Sequence, residues 1–172
     1  MSGVDVALAA VAAALAVALA VVLVARRAPR RRSIRKGQRR ILVPFSGSLD
    51  QTVLDAAIRI AQAEDAVLVP AYLLILPLSL SEDSPAREQV KLAMPLLEAV
   101  EHAALRAGVP VDARIEKGRT LTHAVKKLWE AEDFDRIIAP APAAGREGFT
   151  SKELAWLLDN SPSETLVLKP AA

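Results

Sequence analysis

The sequence predicts an α/β domain, an open five-stranded parallel sheet with helices on both faces, preceded by one transmembrane helix. Three observations carry that prediction. Short apolar runs alternate with amphipathic helical stripes in the order βαβαβαβαβ, and short right-handed crossovers between such elements force a parallel sheet. The stretch from Ile41 to Asp50, ILVPFSGSLD, reads as a buried strand, a small-residue turn and a helix start, the arrangement that builds phosphate and nucleotide sites. Ahead of both lies a 22-residue run of Ala, Val and Leu, from Val4 to Ala25, broken only by Asp5.

As a helix that run would be about 33 Å long, enough to cross a hydrocarbon core of about 30 Å. A cleaved signal peptide would want positive charge before the apolar run, and here only the amino terminus supplies it. Nine basic side chains follow instead: Arg26, Arg27, Arg30, Arg31, Arg32, Arg35, Lys36, Arg39 and Arg40. Basic flanks stay on the cytoplasmic side, so the expected arrangement is a single-pass anchor in the cell membrane, N-terminus outside and domain in the cytoplasm. The expected division is a transmembrane helix over 1–25, a basic juxtamembrane linker over 26–40 and a soluble domain over 41–170. The apolar run (residues 4–25) would meet the lipid bilayer, and Arg26 to Arg40 would meet anionic lipid head groups, unless those charges serve only as a topology signal. Small-xxx-small spacings such as Ala9/Ala13 and Ala12/Ala16 permit helix pairing, but an Ala-rich run produces them by chance.

In the domain, the first strand (Ile41, Leu42, Val43) leads to a helix with Ser48 expected at the N-cap and Gln51 at N3, its apolar face formed by Leu54, Ala57, Ile58 and Ala61. A continuously apolar stretch from Ala66 to Leu76 is the second strand; Pro70 within it implies a bulge or an edge. Ser84-Pro85 starts a second helix that runs to about Ala107, stops at Gly108 and is kinked by Pro95. Val109 to Glu116 alternates as a third strand, and Gly118-Arg119-Thr120 turns into a third helix carrying Leu121, Ala124, Val125 and Leu128. Asp135 to Ala139 is the fourth strand. Thr150-x-x-Glu153 is a capping box opening a last helix to Asn160, and Glu164 to Leu168 is the last strand. Ligand space is expected at the carboxyl ends of strands one and four.

Composition excludes several classes. The chain has no cysteine, so disulfides, cysteine nucleophiles and thiolate metal sites are ruled out. Its two histidines, His102 and His123, lack ligand spacing and are assigned packing or surface roles, with no metal. The net charge of +2 conceals a division: residues 1–40 carry nine basic groups and one acid, leaving 13 basic and 19 acidic groups and a net of −6 on the domain. An acidic domain in a chain with only 3% aromatic residues is a poor partner for nucleic acid. No acid–base pair and no Gly-x-Ser-x-Gly elbow is present, so no catalytic residue and no enzyme activity are expected.

Taken together, RRILVPFSGSLDQTVLDAAIRIA, GVPVDARIEKGRT, FDRIIAP and SPSETLVLKP, in this order and spacing over residues 39–170, resemble the universal stress protein (UspA-like) family. The resemblance implies a Rossmann-like, adenine nucleotide alpha hydrolase-like sheet of order 3-2-1-4-5, a homodimer often paired through its last strand, and ATP binding in some members. It also exposes departures. ATP-binding members end the first strand in Pro-x-Asp, where this chain has Pro44-Phe45-Ser46. Pro140 and Ala143 stand where the family's phosphate loop has its first glycines, and Ser151-Lys152 replaces Gly-Ser. Backbone amides must approach a phosphate without a Cβ in the way, and proline offers no amide.

The candidate binding positions are therefore Pro44 and Ser46, Leu73 in the second strand, Gly118 after the third, and a rearranged loop of Gly145, Gly148, Thr150, Ser151 and Lys152 at a helix N-terminus. The same loop residues are also what a turn entering a capped helix requires. The expectation is a membrane-anchored regulatory or scaffolding domain, non-catalytic, with no cofactor and with nucleotide binding weakened or lost. It would act as a homodimer or beside another membrane protein. The alternative is a stress sensor that binds ATP or another adenine nucleotide through Gly145–Lys152.

Overall fold

The computed structural model describes residues 37–81, 85–142 and 148–169. The expected anchor at 4–25, the basic linker up to Lys36, the Ser84 cap and Gly145 lie outside the described residues. Among the described residues no helix is long and apolar enough to cross a membrane.

The chain order is β1 (Arg40–Phe45), α1 (Gln51–Ala63), β2 (Val67–Ile75), α2 (Arg87–Arg106), β3 (Arg114–Gly118), α3 (Leu121–Ala131), β4 (Arg136–Pro140), α4 (Ser151–Asn160) and β5 (Glu164–Leu168). All five strands form one parallel sheet in the order β3-β2-β1-β4-β5. β1 is central because its side chains can be buried on both sides. Leu42 faces the layer of α3 and α4 with Val69, Leu73, Leu128, Ile137 and Leu157; Ile41 and Val43 face the opposite layer with Leu54, Ile58, Leu68, Val100 and Ile138. Each fully buried Leu or Ile stabilises the fold by about 1.5–3 kcal/mol. The continuous apolar runs of β1 and β2 follow from this two-sided burial.

Four local expectations are corrected. Asp50, not Ser48, caps α1: its carboxylate accepts from the Thr52 amide at 2.9 Å, while Gly47 at φ +72° is still turning the chain. Pro70 makes neither a bulge nor an edge. The β1–β2 register is unbroken across Val43 and Pro70, and β2 lies inside the sheet. Leu68 bonds on the β3 side, donating to Pro110 O at 2.9 Å and accepting from Asp112 N at 3.0 Å. Pro70, two residues on, turns its missing donor the same way, into the gap between the Leu68–Val111 bridge and the start of β3 at Arg114. Parity puts the proline where the ladder already lapses.

The third correction concerns α2, which starts at Arg87 with Pro85 outside it; Ala86, buried beside Leu74 and Leu76, sits at φ +43° and supplies no side-chain cap. The helix nevertheless runs through Pro95 to the expected stop, Gly108 at φ +75°. The fourth is β3, which begins five residues later than its alternation predicts. Before it, the chain touches β2 only through the isolated Leu68–Val111 bridge, where the Asp112 side chain pairs with Arg40 and Arg114, both at 2.8 Å.

Those pairs belong to a network at the amino ends of the strands. Arg40 also reaches Glu132 at 2.8 Å, and its amide donates to Asp135 at 2.8 Å. Arg39 pairs with Glu64 at 3.2 Å, and Arg136 bonds both Glu64 and Glu164. The hydrogen bond to Glu164, with the charge of Glu64, holds the Arg136 guanidinium above its ordinary value despite burial. Arg39 and Arg40, the last two cations of the basic stretch, are thus engaged by the domain itself.

Candidate functional site

A cleft of about 460 Å³ opens at the carboxyl end of the sheet. Strand register creates it. The last β1–β2 pair is Phe45 with Tyr72, so β2 outruns β1 by Leu73, Leu74 and Ile75, which pair only with Glu116, Lys117 and Gly118 of β3. Leu73, Leu74 and Leu121, all nearly or fully buried, give the cleft an apolar floor. Ile75 and Leu92 of α2 form an exposed apolar rim. Ser46, Tyr72 and Gln89 supply the polar groups, and Tyr72 is fixed edge-on against Phe45 with centroids 5.6 Å apart. Gly148 closes the side next to α4. Among the described residues, no charged side chain lines the cleft.

The nine positions singled out from the sequence separate clearly. Ser46, Leu73 and Gly148 line the cleft. Pro44 is buried inside β1, paired with Ala71. Gly118 serves close packing: a Cβ there would meet the Ala124 Cβ and amide nitrogen at 2.8 Å. Ser151 and Lys152 are exposed in the first turn of α4, off the cleft lining, and Gly145 is outside the described residues. Gly148 has a backbone reason of its own, φ +154°, that L side chains rarely adopt.

Thr150 is occupied. Its hydroxyl accepts from the Glu153 amide at 3.3 Å, while its own amide and hydroxyl both donate to one Glu153 oxygen at 2.8 Å. The capping box therefore places a carboxylate at the N-terminus of α4, the end of a helix where an anionic ligand would otherwise be favoured.

Among the described residues the lining comes from the ends of β1 and β2, from the starts of α2 and α3, and from Gly148 after β4; the β2 overhang sets the β2 share of it. Sequence reasoning missed Tyr72, Leu74, Ile75, Gln89, Leu92 and Leu121. Leu74 and Ile75 were signalled only by their place near the end of a strand; Gln89 and Leu92 depend on how α2 packs, which no local pattern encodes. Among the described residues no cluster of three or more His, Asp or Glu side chains could hold a metal. His102 is exposed, and His123 Nδ1 accepts from the Arg119 amide at 3.3 Å.

No family model and no curated protein matches the chain. Solved structures do. A universal stress protein in complex with cAMP is 20% identical, covers 77% of this chain and 98% of its own, and superposes with a TM-score of 0.58. A universal stress protein family protein from Arabidopsis thaliana with AMP bound is 13% identical over 78% and 93% of the two chains, TM-score 0.55. The universal stress protein from Archaeoglobus fulgidus in complex with dAMP is 13% identical over 75% and 96%, TM-score 0.57. At these identities the likeness is one of fold: the described domain has the universal stress protein architecture.

Proposed function

We propose that this chain is a membrane-anchored, non-catalytic regulatory or scaffolding domain of universal stress protein fold whose hold on nucleotide phosphates is weak or lost. One observation carries the proposal: Glu153 occupies the Thr150 donors at the N-terminus of α4, beside a cleft whose described lining bears no charge. A phosphate placed there meets a carboxylate that already takes the Thr150 amide and hydroxyl. The absence of an acid–base pair in that lining supports a regulatory role over a catalytic one. Membrane attachment rests on the apolar run at 4–25 and its basic flank, and the acidic domain behind it argues against nucleic acid as a partner. A homodimer, or a complex with another membrane protein, fits a scaffolding role.

A second reading, an adenine-nucleotide sensor, is favoured by the AMP, cAMP and dAMP complexes of similar fold and by the persistence of an open cleft here. Calorimetry of the full-length protein in detergent decides between them. The proposal expects no heat from ATP, AMP or cAMP up to millimolar concentration; micromolar ATP affinity would overturn it in favour of the sensor. Resistance of the protein to alkaline extraction from membranes is the expected result for the anchor, and release into the wash would refute it.

A further inference from the structure

Among the described residues six large apolar side chains are exposed, and four of them, Ile75, Leu78, Leu92 and Met94, fall between the end of β2 and the middle of α2. A lone exposed leucine means little, but a group of them marks an interaction surface. Ile75 and Leu92 share one rim of the cleft and so are neighbours across the gap between β2 and α2. Leu78, 90% exposed, stands on the turn that follows β2. That turn is fixed from two sides: the Leu80 amide donates to Pro77 O at 3.1 Å, and the Arg119 guanidinium, just ahead of α3, donates to the same oxygen at 2.6 Å. Along α2, Pro95 and Ala99 follow Leu92 at i+3 and i+7, and both are exposed.

The charge at this corner departs from that of the domain. Arg87 and Lys91 lie in the first turns of α2, Lys117 and Arg119 at the end of β3. Glu88 is paired with Lys91 at 2.8 Å, and Glu116 with Lys127 at 2.7 Å. With Glu82 and Asp83 of the β2–α2 connection counted, five cations stand against four carboxylates, in a domain whose net charge is −6. Exposed leucines beside lysine and arginine suit the interface of a bilayer, where acyl chains take the apolar tips and lipid phosphates the cations.

The chain itself would bring a bilayer within range. Between the apolar run that ends at Ala25 and the start of β1 at Arg40 lie 14 residues (26–39), with an extended reach of about 45–50 Å. β1 is about 20 Å long, so a tether of that reach leaves either end of the sheet free to meet lipid. Tethering also raises the effective concentration of the surface, so that a patch of weak affinity is filled. We propose that Ile75, Leu78 and Leu92 dock the domain on the bilayer that its own N-terminal run enters, with Arg87, Lys91 and Lys117 against anionic head groups. This deepens the membrane-anchored reading, on which it rests, and needs no occupant in the cleft.

The chain has no cysteine, so one introduced thiol gives one labelling site. Full-length Leu78→Cys, Leu92→Cys and Leu158→Cys, each carrying a fluorophore, are reconstituted into vesicles of phosphatidylcholine and phosphatidylserine with and without a quencher on the acyl chains. Leu158, 55% exposed on α4, is the control leucine away from the patch. Emission should be lost at 78 and 92 and kept at 158. Adding Leu78→Glu to the Leu92→Cys protein should restore emission at 92 and leave the thermal midpoint unchanged, because the side chain replaced is 90% exposed. Equal loss at 158, or no loss at 78 and 92, overturns the inference. So does shielding of 78 and 92 that grows with the protein-to-lipid ratio and ignores the quencher, which would assign the patch to a second copy of the chain. Alkaline extraction separates the two readings: release from the vesicles refutes the anchor and this inference with it, whereas retained protein that keeps its emission at both patch sites refutes the docking surface alone.

Discussion

Gly118 shows how a residue singled out as a binding position also has a packing reason to be glycine. The resemblance marked it as a ligand position, yet the atoms a Cβ would strike belong to Ala124 in the first turn of α3, backbone nitrogen included. Backbone cannot rotate aside, so overpacking must push the helix off the end of β3. Gly118→Ala is expected to cost about 1–3 kcal/mol, measured as a lowered thermal midpoint of the full-length protein. An unchanged midpoint would mean that α3 shifts without cost. Ser46 is the opposite case: as the residue that replaces the family's acid it was legible from the sequence, and it lies in the cleft.

At the scale of elements, legibility followed the range of the interactions that fix each boundary. The last helix and strand, Ser151–Asn160 and Glu164–Leu168, fall where the sequence places them, because the Thr150–Glu153 box is written within four residues. Helix α1 starts later than predicted because the Gly47 turn leaves Ser48 outside the helix and Asp50, two residues on, takes the capping bond. The start of β3 was not legible, since the continuous ladder begins only where Arg114 meets Ala71, past Pro70 on β2, a register between strands distant in sequence. Thr150→Ala tests the local case: it removes the α4 cap and should lower stability by about 1 kcal/mol, read from the denaturation midpoint. A loss near zero would show that Glu153 alone satisfies the first turn.

For the whole molecule, the sheet has two unlike ends. The amino end is tied by charge, the carboxyl end opened by register. Arg40 binds Asp112 and Glu132 with a side chain 21% exposed, linking the first strand to the approach to β3 and the last turn of α3. Arg40→Gln should leave both carboxylates to Arg114 alone and destabilise the domain by about 1.5–3 kcal/mol, and adding Glu132→Gln should recover part of that loss in a double-mutant cycle. Strictly additive losses would mean that the two side chains act independently. Strand order and the two buried layers were legible from the apolar runs and the resemblance. The cleft's position was not, because a three-residue overhang is a property of register between strands, which no single strand's sequence carries.

The central strand has a mechanical consequence. β1 carries the chain from Arg40 to Phe45 in one extended step of about 20 Å, flanked on both sides by parallel neighbours. A pull applied along the chain ahead of Arg40 would load the strand lengthwise, so that its hydrogen bonds to both parallel neighbours share the load in shear rather than opening one at a time.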